Sequence, residues 1–213
     1  MKKNIFTHGV IAAVMGVLTA CQSAELPQTY EQFLDENRET YPVCMDVYLN
    51  RDLVAKATPE SPIHICLEQQ RGRLYADGQV AADWPVTTGM EGRETPTGTF
   101  PIIEKKKLYF STTWGTIVDE NDICVVESAD SRVDKVPPGG EFLGAKMENW
   151  QRLTHDGVGI HTGPVRMNKK LSKGCVRTPG FVADMLFDLT KVGTKVHISQ
   201  APEEIWPGLP AEE

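Results

Sequence analysis

Hydrophobic positions follow three different rhythms along this chain. Near the N-terminus, Met1-Lys2-Lys3-Asn4 precedes an apolar run from about Gly9 to Leu18. Residues 22 to about 40 are mostly polar, with Tyr30, Phe33 and Leu34 among the few large apolar side chains. From about Tyr41 the pattern breaks into short β-rich runs. Val47-Tyr48-Leu49 precedes an Asn50-Arg51-Asp52 turn, Ile63 to Leu67 is strand-length, and Arg73-Leu74-Tyr75 follows a break at Gly72. Ala76-Asp77-Gly78 before Gln79-Val80-Ala81 predicts a hairpin, because Asp-Gly accepts the positive φ of a tight turn. Trp84 to Thr88 is another run, ending at Gly89, and Thr95-Pro96-Thr97-Gly98 turns into Phe100 to Ile103. Turn signals at this density predict a mainly β domain, a sandwich or barrel with few helices.

The stretch from Glu104 to Gly157 is less regular. Ile123-Cys124-Val125-Val126 reads as a strand, and Pro137-Pro138-Gly139-Gly140 reads as a loop, since neither residue type suits an element interior. This stretch is the candidate lid or substrate-binding insertion. One helix is predicted near the C-terminus. Thr178 is its expected N-cap and Pro179 its first position, and Val182, Met185, Leu186 and Leu189 recur as one apolar stripe. Gly193 ends it, and Thr194 to Ile198 forms a last strand.

Composition narrows the classes. With 213 residues, 40% hydrophobic and 24% charged, the chain has a globular composition and can bury a core without disulfides. A net charge of -7 argues against nucleic acid as the main partner, because phosphate neutralisation needs surplus Lys and Arg. The N-terminal apolar run is shorter than the ~20 residues of a membrane span. With its charged start, it predicts a signal peptide over residues 1–20. Leu18-Thr19-Ala20-Cys21 resembles a bacterial lipobox, which implies cleavage before Cys21 and lipidation of its thiol. The expected organisation is a lipid-anchored tether and lead-in strand over 21–59, a catalytic domain over 60–200 and a tail over 201–213. A lipid anchor places the protein in the cell envelope, facing the periplasm, and Gln22 after the cysteine leans towards the outer membrane.

The candidate chemistry centres on Ser172-Lys173-Gly174-Cys175-Val176-Arg177, with His161 fourteen positions upstream in Gly159-Ile160-His161-Thr162-Gly163. A thiolate is the reactive form of cysteine, and a nearby His can take its proton and return it to a leaving amine. Gly174 lets the backbone turn sharply, so the N–H groups around Cys175 are candidates to face an oxyanion. Arg177 and Lys173 add positive charge, which is expected to lower the thiol pKa and attract a carboxylate. A metal reading with His155, His161 and Cys175 lacks a second close cysteine or a familiar ligand spacing. On spacing alone, a buried structural cysteine stays open as an alternative.

This segment resembles the catalytic motif of the L,D-transpeptidase family, in which a His-bearing strand leads to Ser-His-Gly-Cys-(Ile/Val)-Arg. Further pieces match in order. Gln70 to Tyr75 is similar to the family's early strand, and Thr88-Gly89 with Thr95-Pro96-Thr97-Gly98-Thr99-Phe100 is similar to its TG…TPTGxF signature. Val192-Gly193-Thr194-Lys195-Val196 is similar to its closing strand. The resemblance implies a cysteine acyl-enzyme acting on peptidoglycan stem peptides without a cofactor. Cys175 would attack the amide before a terminal D-Ala, and His161 would activate the thiol and protonate the departing amine. The Thr162 carbonyl would orient the imidazole, while Arg177, Gly174, Ser172 and Lys173 would support substrate or oxyanion. Transfer to an amine on another stem would make a 3-3 cross-link. Transfer to water would make the protein a carboxypeptidase or amidase, and a decayed site would leave a peptidoglycan-binding protein. Lys173 departs from the commonest motif, which has a second His there. Cys21 and Cys175 aside, Cys44, Cys66 and Cys124 allow at most one disulfide, whose pair is not specified.

Overall fold

The computed structural model describes residues 29–202. The expected signal peptide, the lipidation site Cys21 and tail residues 203–213 lie outside them. In chain order the elements are α1 (Tyr30–Glu36), β1 (Tyr48–Leu49), α2 (Arg51–Val54), β2 (Ile63–Cys66), β3 (Arg71–Ala76), β4 (Gln79–Pro85) and β5 (Gly98–Pro101). There follow β6 (Glu104–Val118), β7 (Cys124–Asp130), β8 (Glu141–Arg152), β9 (Gly159–Thr162), β10 (Val176–Thr178), α3 (Gly180–Leu189) and β11 (Lys195–Ser199). The fold is mainly β, as the turn-punctuated pattern predicts. Two sheets form, one ordered β1-β4-β3-β2-β11-β5 and the other β10-β9-β8-β6-β7.

The predicted Asp77-Gly78 hairpin is present, both residues adopting positive φ, at 49° and 73°. Gly72 does not break a strand. It lies inside β3 because a Cβ there would come within 2.4 Å of the Trp84 ring on β4. The absent side chain lets two strands pair over a fully buried indole. Likewise Asn50 is less a turn than a cap, its side chain accepting from the Leu53 N–H at the start of α2.

The core lies between the sheets. Ile63, Ile65, Leu74, Ala82, Trp84 and Val86 pack with Ile160 and Val176 of the other sheet. Val182 and Leu186 of α3 close it. Burying side chains of this size contributes about 1.5–3 kcal/mol each relative to leaving them exposed. The helix starts later than the sequence suggests. Thr178 belongs to β10, opposite Thr162, and its carbonyl accepts from Gly163 N–H, so the N-cap is Pro179 with no side-chain cap.

The irregular-looking stretch from 104 to 157 holds the longest strands among the described residues, the 15-residue β6 and 12-residue β8. Few of their residues are fully buried, and they carry register shifts, so no buried face repeats cleanly along them. At the other end, α1 packs its Phe33 against Tyr48 and Cys44. Below it, fully buried Asp83 accepts from Arg71 Nε (2.6 Å), Arg73 Nε (3.0 Å), Tyr30 (2.5 Å) and Tyr41 (2.9 Å). Arg71 also donates to the carbonyls of Cys44 and Asp46. These polar contacts tie the segment before β1 to β3 and β4.

Candidate active site

The site is built where β9 and β10 run parallel. His161 on β9 is the register partner of Arg177 on β10. Cys175 lies two residues before Arg177, and strand geometry sends alternate side chains to one face. His161, Cys175 and Arg177 accordingly line one cavity of about 480 Å³. The sequence spacing of fourteen becomes a shared cavity because a parallel pair places a short crossover between its strands.

His161 is buried and locked in one orientation. Its Nδ1 lies 2.8 Å from the Thr162 carbonyl, which only accepts, so Nδ1 carries the proton and Nε2 is left with the lone pair. Thr162 is itself held by Asn149, whose Nδ2 donates to Thr162 Oγ1 at 3.1 Å and to Asp184 at 3.0 Å. The Trp150 ring backs the imidazole at 6.0 Å, and Tyr109 stacks on that indole at 5.0 Å. Burial holds the His161 pKa down to about 4, and the nearby Arg177 charge pushes the same way against the Thr162 hydrogen bond.

Cys175 departs from the sequence reading. Its thiol faces the Gly157 carbonyl at 3.6 Å, and burial raises its pKa. A hydrogen bond from the Gly159 backbone and the charges of Arg177 and Arg152 oppose this without overcoming it. The expected lowering by Arg177 and Lys173 is therefore overturned, because desolvation outweighs the cations. Lys173 turns towards Trp114, its Nζ 5.0 Å from the ring centroid. Burial thus favours the uncharged form of both groups, the thiol and the imidazole.

A buried hydrogen-bonded frame fixes the turn before the cysteine. Ser172 Oγ donates to the Cys175 carbonyl at 2.6 Å and accepts from Gly174 N–H at 3.1 Å. Gly174 has φ 114°, a backbone state closed to most L residues. Thr95 Oγ1 donates to the Gly174 carbonyl at 2.8 Å and accepts from Gly89 N–H at 2.9 Å. Thr88 accepts through its carbonyl from Leu171 and Ser172, and is held in turn by Gln70. Spacing does not reveal Thr95, Thr88 and Gln70 as part of the frame. The signal for Thr88 and Thr95 is the quoted TG…TPTG signature, where a turn role alone is the simpler reading, and that for Gln70 is the early-strand match.

Arg177 lies along Gly163, where a Cβ would meet its side chain at 2.9 Å, and it has no carboxylate partner among the described residues. His155 lines a smaller adjoining cavity of about 160 Å³ with Tyr109, Trp150 and Arg152. No group of three His, Cys, Asp or Glu side chains among the described residues is placed to hold a metal. Cys44, Cys66 and Cys175 are free, as is exposed Cys124, so no disulfide forms among them.

The family model described as YkuD, the L,D-transpeptidase catalytic domain, matches residues 62–198. The chain belongs to this family. Its solved neighbours include an L,D-transpeptidase from Mycobacterium smegmatis, with 21% identity and a TM-score of 0.50, covering 66% of this chain and 58% of that one. Another, from Stackebrandtia nassauensis, has 19% identity and a TM-score of 0.48, covering 69% and 59%. A third, from Enterococcus faecium, has 23% identity and a TM-score of 0.44, covering 67% and 50%. The chain thus spans less than two thirds of each of these structures. No curated protein matches it. Within the family match lie every strand from β2 to β10, the His161–Cys175 cavity and the frame beneath it.

Proposed function

We propose that this protein is a peptidoglycan L,D-transpeptidase with Cys175 as nucleophile and His161 as its acid–base partner. The observation that carries this reading is a thiol and a tautomer-locked imidazole in one cavity, in a member of the L,D-transpeptidase catalytic domain family. The free base has the right form, since Nδ1 is bound to Thr162 and Nε2 is left to accept the thiol proton.

In the first step Cys175 sulfur attacks the carbonyl carbon before the terminal D-Ala as its proton passes to His161 Nε2. The developing oxyanion meets the Cys175 N–H, because the Gly174 N–H is already engaged by Ser172 Oγ. Collapse breaks the C–N bond, His161 returns the proton to the leaving amine, and a thioester remains. An amine of a second stem then attacks the thioester, losing its proton through His161, and the thiol is released. Neither half requires a metal or cofactor in this account. Burial favours the uncharged thiol, so in this reading proton transfer accompanies attack. In this reading Arg177, the register partner of His161, receives the terminal carboxylate of the leaving D-Ala.

The lipobox-like Cys21 and the signal-peptide pattern support a lipoprotein in the periplasm-facing envelope, with stem peptides as partners. Incubating the protein with stem tetrapeptides and separating the products tests the reaction. Release of D-Ala with a cross-linked dimer is expected, and Cys175→Ala abolishes both. D-Ala release without dimer would make water the acceptor. Turnover that survives Cys175→Ala would end the thioester reading.

A further inference from the structure

Asn149 lies inside β8 with φ 55°, a left-handed backbone state that Asn tolerates better than most L residues. The β6–β8 ladder pairs Lys106 with Trp150 and Leu108 with Glu148, and skips the 107–149 pair between them. The two skipped side chains meet elsewhere, on one oxygen of α3. Lys107 Nζ and Asn149 Nδ2 both donate to Asp184 Oδ1, at 2.8 and 3.0 Å. A carboxylate only accepts, so it turns the Asn149 amide nitrogen towards α3 and leaves Oδ1 buried with no partner among the described residues. An unpaired buried acceptor and a left-handed backbone both disfavour this conformation. They mark the place where Nδ2 also reaches Thr162 Oγ1, at 3.1 Å.

Thr162 is held at both branches of its β-carbon. Asn149 binds Oγ1, and Cγ2 lies against the start of α3, 3.7 Å from where a Cβ at Gly180 would sit. Gly180 and Asp184 are four apart, so one face of α3 makes both contacts. The peptide after Thr162 is one planar unit. Its N–H donates to the Thr178 carbonyl at 3.2 Å, and its C=O points the other way, to His161 Nδ1. A fixed Thr162 side chain restricts rotation of that unit, and the imidazole tautomer follows from where the carbonyl points. We propose that Asn149 and Asp184 are positioning residues: they tie Thr162 to α3, so that its carbonyl keeps the His161 proton on Nδ1 and the lone pair on Nε2. This rests on His161 being the base of the proposed function. Neither residue lines the cavity that holds the thiol. Loosening the clamp lets the peptide unit rotate, and the other tautomer puts an N–H where the thiol proton has to go.

Long-range proton–nitrogen NMR spectra of the full chain, labelled at its histidine nitrogens, read the tautomer without turnover. They are taken at pH 7, well above the His161 value of about 4, and the ring is assigned by the signal lost in His161→Gln. The parent should show the Nδ1–H form alone. Asn149→Gly removes the amide and accepts the positive φ, so it loosens the clamp without adding backbone strain. Both tautomers are expected in this variant, and acylation of Cys175 by a β-lactam should slow at least about tenfold. Asp184→Ala changes an exposed residue, so it tests the same clamp should Asn149→Gly not fold, with the same result expected. Asp184→Asn keeps an acceptor oxygen and should recover most of the parent's tautomer. A single Nδ1–H form in folded Asn149→Gly and Asp184→Ala overturns the proposal, whatever the melting temperature does. D-Ala release by the parent is read separately. If the variants mix tautomers while the parent releases no D-Ala, the proposed reaction fails and the hold on the imidazole stands.

Discussion

The hydroxyl of Thr95 donates a 2.8 Å hydrogen bond to the carbonyl of Gly174, the residue just before the proposed nucleophile. The same oxygen accepts from Gly89 N–H, so one buried side chain joins the loop before β5 to the turn carrying Cys175. Thr95→Val keeps the shape and removes both hydrogen bonds. Leaving a buried carbonyl and N–H unpaired costs about 1–3 kcal/mol for each group. Thermal unfolding should fall accordingly, and thiol acylation by a β-lactam should slow at least about tenfold as the turn loosens. Thr95→Ser should restore most of both. An acylation rate unchanged in Thr95→Val would show that the turn holds without this contact.

Acid should weaken the fold through two histidines. Burial, with the charges of Arg73 and His197, holds His64 down to about 4, and burial does the same for His161. Both lie below the unfolded value of ~6.5, so the unfolded chain takes up protons first as pH falls. Their stabilisation is full above ~6.5 and is lost as pH drops towards about 4. Melting temperature measured across that window should decline, and His64→Gln should flatten part of the slope. A melting curve level from pH 7 to 4 would contradict this.

The raised thiol pKa has a kinetic signature. Iodoacetamide should alkylate Cys175 slowly at neutral pH, with the rate still climbing past the ordinary thiol midpoint of ~8.5. Intact-mass analysis follows the modification, with Cys175→Ala separating it from Cys124. A rate already level at pH 7 would mean that a thiolate–imidazolium pair exists at rest.

Gly159 is predicted to tolerate no side chain. A Cβ there would lie 2.6 Å from the Gln151 carbonyl and 2.7 Å from the Trp150 ring, both on β8. Gly159→Ala must push β9 away from β8, and His161 moves with it. Overpacking of this kind costs about 1–3 kcal/mol, and acylation should fall more steeply than stability alone explains. A variant that melts and acylates like the parent would show that the sheet yields freely.

Asp83 sits between Arg71 and Arg73 with no exposure. Asp83→Asn leaves two buried guanidinium groups without their carboxylate, and breaking such a pair costs about 3–5 kcal/mol. Chemical denaturation should show the loss. Removal of Tyr30 and Tyr41 together by Phe substitutions should cost less, since both arginines keep their ion pair.

Much of this was legible in the chain itself. The hairpin at Asp77-Gly78 and the helix stripe through Val182 and Leu186 follow from local backbone preference and periodicity, which need no distant partner. So does the short-strand rhythm that predicts a β domain. The motif around His161 and Cys175 was equally visible, because their chemistry is carried by residue identity and order. What stayed hidden depended on neighbours far away in sequence. Gly72 looks like a break until Trp84 is seen filling its place. Thr178 looks like a cap until Thr162 claims its backbone. The strands from 104 to 152 lack a regular buried face because few of their positions are buried and their register shifts.

Sequence by itself determined the fold class and the family, and it singled out Cys175 and His161 as the proposed nucleophile and base, since these rest on local pattern and on residue type. Only the tertiary structure decided the burial that shifts both groups towards their uncharged forms and the frame around Cys175. The thiol pKa is set by how much water burial removes against how close Arg177 comes, and composition says nothing of that balance. The cations beside the motif act in the same way: Arg177 stays with the histidine, while Lys173 joins Arg93 and Arg132 around Trp114, because strand register and loop packing place them there.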